Sequence, residues 1–229
     1  MPLPWRPDLR LTTPVLGAAI LLGLGGLAWY GMRFLPPEWD PRAPLDLTAE
    51  PNMVTGLKLR RLRSSPEACF AAFEASRIPV TRVPDRPSEV GCGLENALRL
   101  PSALRILPSP PVVTCRVAAA WVLYERHALV PAGVAGVTHL GAQACRNVNR
   151  ARHGRLSEHA TANALDVAGF RMRDGRELRL ARHWESENTL LRGLRDGACR
   201  WFGTVLGPEY NAAHSDHFHL DMGSARICR

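Results

Sequence analysis

Three of the eight histidines crowd into six residues near the end of this 229-residue chain, in the run His214-Ser215-Asp216-His217-Phe218-His219-Leu220-Asp221. Read as a strand, whose side chains alternate between faces, the run places His217, His219 and Asp221 on one side and Phe218, Leu220 and Met222 on the other. Imidazoles aligned on a stiff element suit a metal ion, because the backbone fixes their direction before the ion arrives. An upstream segment, Ser157-Glu158-His159-Ala160-Thr161-Ala162-Asn163-Ala164-Leu165-Asp166, adds a histidine and a carboxylate seven residues apart. Two imidazoles and one carboxylate, with a fourth position left to water, make a catalytic rather than a structural zinc site. His127, His139, His153 and His183 have no such partner spacing and read as ordinary surface or core residues.

These residues need an exported, cross-linked scaffold, and the rest of the chain describes one. Val15 to Met32 carries no charge over eighteen residues, about the minimum for a helix crossing a bilayer. Arg6 and Arg10 precede it and favour a cytoplasmic start, and no small-x-small cleavage site follows it, so an uncleaved anchor is expected. The expected organisation is a cytoplasmic N-terminus over 1–14, a transmembrane anchor over 15–35, a Pro-rich tether over 36–63 and a folded domain over 64–229. Cys69, Cys92, Cys115, Cys145, Cys199 and Cys228 all lie in that domain, and no CxxC pair occurs. In an oxidising compartment they read as three disulfides, most simply paired in sequential order. The net charge of +8 resides beyond residue 40, and the basic residues are arginines except Lys58. An excess of this sign favours an anionic partner such as a cell wall or membrane surface. The chain has no aromatic-interleaved basic patch and no recognition-helix pattern, which argues against nucleic acid.

Within the domain, Ser64-Ser65-Pro66-Glu67 marks a helix start, and Thr114 can cap a helix from Cys115 to about His127. Residues 79–111, rich in proline, read as loops and short strands. Val134–Leu140 and Ala164–Phe170 read as strands, the second turning at Asp174-Gly175 into a short strand at Leu178–Leu180. Leu190, Leu191, Leu194, Ala198, Trp201, Phe202 and Val205 fall at helical spacing, predicting one long helix over Ser186–Leu206 that Gly207-Pro208 ends. The fold class expected is α+β, a small, mostly antiparallel sheet flanked by helices.

Ser-x-His-x-x-x-x-Ala-x-Asp, followed by His-x-x-His-x-His, resembles the zinc peptidases of the D-Ala-D-Ala metallopeptidase, lysostaphin and hedgehog group. The ending is most similar to the penicillin-insensitive murein endopeptidases. The resemblance implies a hedgehog/D-Ala-D-Ala-peptidase-like fold, Zn2+ held by His159, Asp166 and His219, and a catalytic role for His217. It also sets Arg146 where related peptidases bind a substrate carboxylate; beside Cys145, a structural role is the favoured reading. His214 is expected to line the cleft or support a ligand, and Asp221 to orient a ring nitrogen. Glu158 is a more remote candidate for the base. Those peptidases often carry Gly three residues after the first His, where this chain has Ala162. A wider set of segments resembles the bacterial extensin-like C-terminal domain family: Cys145-Arg146, Ser157-Glu158-His159-Ala160, Ala164-Leu165-Asp166-Val167, Gly197-Ala198-Cys199, Leu206-Gly207-Pro208, Asn211-Ala212-Ala213-His214 and Asp216 to Asp221.

The function expected is therefore a single-pass inner-membrane zinc hydrolase with its domain in the periplasm, cutting peptide bonds of peptidoglycan. The rival from another class is a non-catalytic zinc-containing module that holds the wall or an envelope partner, a loss of catalysis that hedgehog domains illustrate. A metal nuclease lacks the Asn and ββα context it would need.

Overall fold

The computed structural model describes residues 9–229, so most of the expected cytoplasmic segment, including Arg6, lies outside the described residues. Two compact units are formed, Met1–Ala43 and Pro44–Arg229. In the first, α1 (Leu9–Gly31) contains one stretch, Pro14–Gly31, long and apolar enough to cross a membrane. Residues 44–63, read from their prolines as part of a tether, are packed into the second unit. Leu45, Leu47, Leu59 and Leu62 are buried there, the last two on or just after the short helix α2 (Thr55–Arg61). Leucines at these positions pull the chain into the core in spite of its prolines.

The second unit is α+β. Its helices are α2, α3 (Pro66–Ala75), α4 (Cys115–Tyr124), α5 (Leu180–His183) and α6 (Asn188–Cys199). A two-stranded ladder joins β1 (Ala97–Arg99) to β3 (Val112–Thr114). The main sheet has seven strands: β2 (Arg105–Leu107), β4 (Val134–Gly141), β5 (Ala164–Met172), β6 (Glu177–Arg179), β7 (Thr204–Leu206), β8 (Phe218–Asp221) and β9 (Ile227–Cys228). They run in the order β2-β4-β5-β8-β7-β9, with β6 on the far half of β5. Only β2–β4 and β7–β9 pair in parallel, so the sheet is mostly antiparallel as expected. Ser65 caps α3, its hydroxyl accepting from Ala68 N–H at 3.1 Å. Thr114 precedes α4 but does not cap it; its hydroxyl donates to Asn163 instead. The inner faces of α3, α4 and α6 bring Phe73, Trp121, Tyr124, Leu191 and Leu194 onto Val167, Phe170, Phe218 and Leu220 of the sheet.

Three local readings are corrected. The long helix predicted over Ser186–Leu206 is α6 alone, and Thr204–Leu206 forms β7 between β8 and β9. Trp201, Phe202 and Val205 keep helical spacing but reach the core from a turn and a strand. A Cβ on the intervening Gly203 would stand 2.8 Å from Gly223 O, so a backbone approach made there needs glycine. The helix expected from Cys115 to about His127 is α-helical only to Tyr124 and π-helical over Glu125–Leu129. The disulfides are Cys69–Cys115, Cys92–Cys145 and Cys199–Cys228, so sequential pairing holds only for the last. Packing of α3 on α4 brings Cys69 to Cys115, which leaves Cys92 for the segment after β4.

Candidate metal centre

The register of the central strands decides the site. β5 and β8 pair antiparallel with Asp166 opposite His219 and Ala164 opposite Asp221. Directly opposed residues share a face, so a carboxylate and an imidazole meet without any loop to place them. A one-residue slip would turn His219 into the core, and Phe218 and Leu220, fully buried on the other face, hold the register. His159 comes from the 3-10 turn Glu158–Thr161 that feeds β5. Ser157 opens this turn, its Oγ accepting from His159 N–H at 3.3 Å. Ala162 closes it at φ 55°, a left-handed backbone that favours glycine, which is why the methyl group is conspicuous at this position.

The three side chains meet in a near-equilateral triangle. His159 Nε2 lies 3.0 Å from Asp166 Oδ1 and 3.0 Å from His219 Nδ1, and His219 Nδ1 lies 3.0 Å from Asp166 Oδ1. All three residues are buried. The outer ring nitrogens explain the inner ones. His159 Nδ1 is 3.0 Å from Ala142 O, which can only accept, so this nitrogen carries the proton and Nε2 presents a lone pair inward. His219 Nε2 donates to Asp221 Oδ2 at 2.9 Å, and Asp221 Oδ1 accepts from Gly223 N–H at 2.7 Å. The hub therefore gathers electron pairs and one negative charge, and it requires a cation, either a proton or a metal. A tetrahedral zinc with donors about 2.0–2.2 Å away holds them roughly 3.3–3.5 Å apart, close to the triangle seen. Histidines whose second nitrogen donates to a carbonyl and to a carboxylate are the arrangement metal ligands require. The donor set fits zinc.

The electrostatics agree. Burial works against charge on Asp166, but when protons rather than a metal occupy the hub, hydrogen bonds from the His159 and His219 rings outweigh it and hold the carboxyl far below the usual range. Burial likewise opposes charge on His219, but hydrogen bonds to Asp166 and Asp221 raise this imidazole to about 9 when only protons compete for it.

His217 is not on the strand as expected; β8 starts one residue later, and His217 sits in the bend before it. It still borders the triangle, with Nε2 3.6 Å from Asp166 Oδ1. Its Nδ1 donates to Asp216 Oδ1 at 2.7 Å, which leaves Nε2 as the accepting nitrogen. Asp216 joins the site through this contact, and its place beside His217 is the sequence signal for it. His214, in the 3-10 turn Ala212–His214, lies with its ring centroid 5.3 Å from His217, tilted against it, and 5.8 Å from His219, edge-on to it. Burial and then the neighbouring charge of His217 and His219 push it down to about 4, so it is neutral at ordinary pH. Asp221 is placed where it orients His219. Glu158 is drawn away from the triangle: its carboxylate accepts from Asn163 Nδ2 and lies against Gly223. Asn163 is fully buried and also accepts from Arg116 Nε at 2.7 Å and from Thr114 Oγ1 at 3.1 Å. Arg146 belongs to the segment tied down by Cys92–Cys145, and its Nε is buried without a partner among the described residues. Ala142, whose carbonyl sets the His159 tautomer, leaves no trace in a sequence.

Residues 67–229 match the family model described as Extensin-like protein C-terminus, and the chain belongs to that family. No curated protein and no solved structure matches it.

Proposed function

We propose that this extensin-like chain is a membrane-anchored, zinc-dependent hydrolase that cuts peptide bonds of peptidoglycan in the periplasm, on a hedgehog/D-Ala-D-Ala-peptidase-like scaffold. The observation that carries the proposal is the convergence of His159 Nε2, His219 Nδ1 and Asp166 Oδ1 with both outer ring nitrogens already committed. The motif resemblance supplies the substrate class, and the apolar stretch Pro14–Gly31 supplies the anchor.

His159, Asp166 and His219 would hold the ion. Bound there, zinc would supply Lewis acidity to the scissile carbonyl and to the attacking water. His217 is the base: Asp216 fixes its tautomer, so Nε2 accepts the proton as water attacks and returns it to the leaving amine. Neutral His214 lines the approach without adding charge. Asp221 keeps the His219 lone pair directed inward.

The test is digestion of purified sacculi by zinc-loaded protein, with product masses read out. Soluble fragments bearing cleaved cross-links or trimmed stem peptides are expected, and their loss on chelation. Sacculi that bind the protein but release nothing would replace the hydrolase with the wall-holding module.

A further inference from the structure

The segment between β4 and the His159 turn is a built hairpin. Its arms pair through Ala144 N–H to His159 O (2.9 Å), Ser157 N–H to Arg146 O (3.0 Å) and Val148 N–H to Arg155 O (2.9 Å), with Asn147 bridged antiparallel to Leu156. Cys145 bonds its root to Cys92. The same root holds the ligand, since Ala142 O receives His159 Nδ1–H. Whatever this finger grips is therefore fixed relative to the metal centre.

The finger is charged in one sense only. Between Ala142 and Ser157 the charged residues are Arg146, Arg150, Arg152 and Arg155, with no Asp or Glu. None of the four forms an ion pair among the described residues, whereas Arg176, Arg192 and Arg195 are each paired to carboxylates. Arg150, Arg152 and Arg155 are exposed. At the bend, Asn149 and Arg150 hold φ of 54° and 56° in succession. Like charges held together on one arm repel, and no carboxylate along the arm offsets them, so an anionic ligand would relieve the repulsion.

We propose that the 145–157 finger is a docking arm for a carboxylate-bearing polymer strand, which it lays beside the metal centre. The ligand identity, acidic stem peptides of the wall, rests on the function proposed above. The root shared with the His159 turn favours the strand presented to that site over a lipid surface.

The test compares the full chain in neutral detergent with R150Q/R152Q/R155Q by co-sedimentation with sacculi. Wild type should sediment at an ionic strength of about 0.05 M and be released at about 0.5 M. The triple variant should bind roughly tenfold or more weakly, and wild type should lose the same affinity for sacculi with amidated carboxylates. Zinc content and melting temperature should not change. Equal binding by variant and wild type, or indifference to amidation, overturns the proposal. A triple variant that loses zinc passes the comparison to R152Q and R155Q singly; if they too bind as wild type, the proposal fails. Arginine-dependent binding to phosphatidylglycerol vesicles without binding to sacculi would reassign the finger to the membrane and overturn it. Salt-sensitive, arginine-dependent binding with no fragment release leaves the docking arm standing and removes the hydrolase.

Discussion

Asp221→Asn isolates the tautomer argument from the ligands themselves. Both carboxylate oxygens of Asp221 accept: Oδ2 from His219 Nε2 at 2.9 Å and Oδ1 from Gly223 N–H at 2.7 Å. An amide of the same shape can accept at only one of them. If its oxygen stays on Gly223, its NH2 faces His219 Nε2, which must then accept, and the ring proton moves to Nδ1, where the metal needs a lone pair. If its oxygen stays on His219, two donors oppose each other at Gly223 in a buried place, at about 1–3 kcal/mol for the unmet group. Losing the outer partner of a ligating histidine weakens metal binding by about 10–100-fold, equivalent to about 1.4–2.7 kcal/mol. Competition with a chromogenic chelator on wild type, Asp221→Asn and His219→Ala measures this directly. His219→Ala should retain far less zinc than Asp221→Asn. A folded Asp221→Asn protein with wild-type zinc affinity would show that Asp221 does not set the inward lone pair, and the hub reading would lose its main support.

His217→Ala should keep its zinc, because the ring stands outside the triangle, and should release sacculus fragments about 10²–10⁴-fold more slowly; loss of zinc would instead make His217 a ligand. The zinc-stripped protein should lose stability as pH rises. His219 has a folded value of about 9 against an ordinary 6.5, so its contribution is complete below 6.5 and disappears as pH climbs through about 9. Asp166, held low, contributes above its ordinary 3.8 and fades as pH falls through and below that range. Zinc competes with the His219 proton, so the rise in melting temperature on adding zinc should widen from pH 6 to about 9; a constant increment across thermal melts would contradict the hub. Peptide mapping of the non-reduced protein should find Cys92 joined to Cys145. Closing a separation of 53 residues, the link should be worth up to roughly 4 kcal/mol in denaturant unfolding of Cys92→Ser/Cys145→Ser, and an unchanged midpoint would count against it.

What could be read in advance was local and periodic. Phe218 and Leu220 against His219 and Asp221 is a two-residue alternation, and β8 follows it. His159 and Asp166 were visible as spacing because a short turn leads straight into a strand. What failed depended on distant chain. Trp201 and Val205 continue the helical stripe of α6, but the helix ends at Cys199, and Gly203 then passes too close to Gly223 O for a side chain, a contact made with distant chain. The cysteine pairs follow from α3 lying on α4, a contact between segments 46 residues apart at the bond. The buried leucines at 45 and 47 were hidden by prolines that signal extension but not exposure.

More than its histidines sets this centre apart. A buried carboxylate between two imidazoles is a poor way to stabilise a sheet, since desolvating the charges offsets most of their attraction and apolar residues of similar volume often do as well. Yet the fold commits further groups to this one: Ala142 O and Asp221 to the outer ring nitrogens, Gly223 N–H to Asp221, and a left-handed Ala162 to close the turn that carries His159. Each commitment constrains direction rather than adding apolar contact, and together they aim lone pairs at a common point. Stability would not require that aim. A cation does, and the neutral His214 and Asp216-oriented His217 along the same rim place a proton acceptor where a hydrolytic centre would use one.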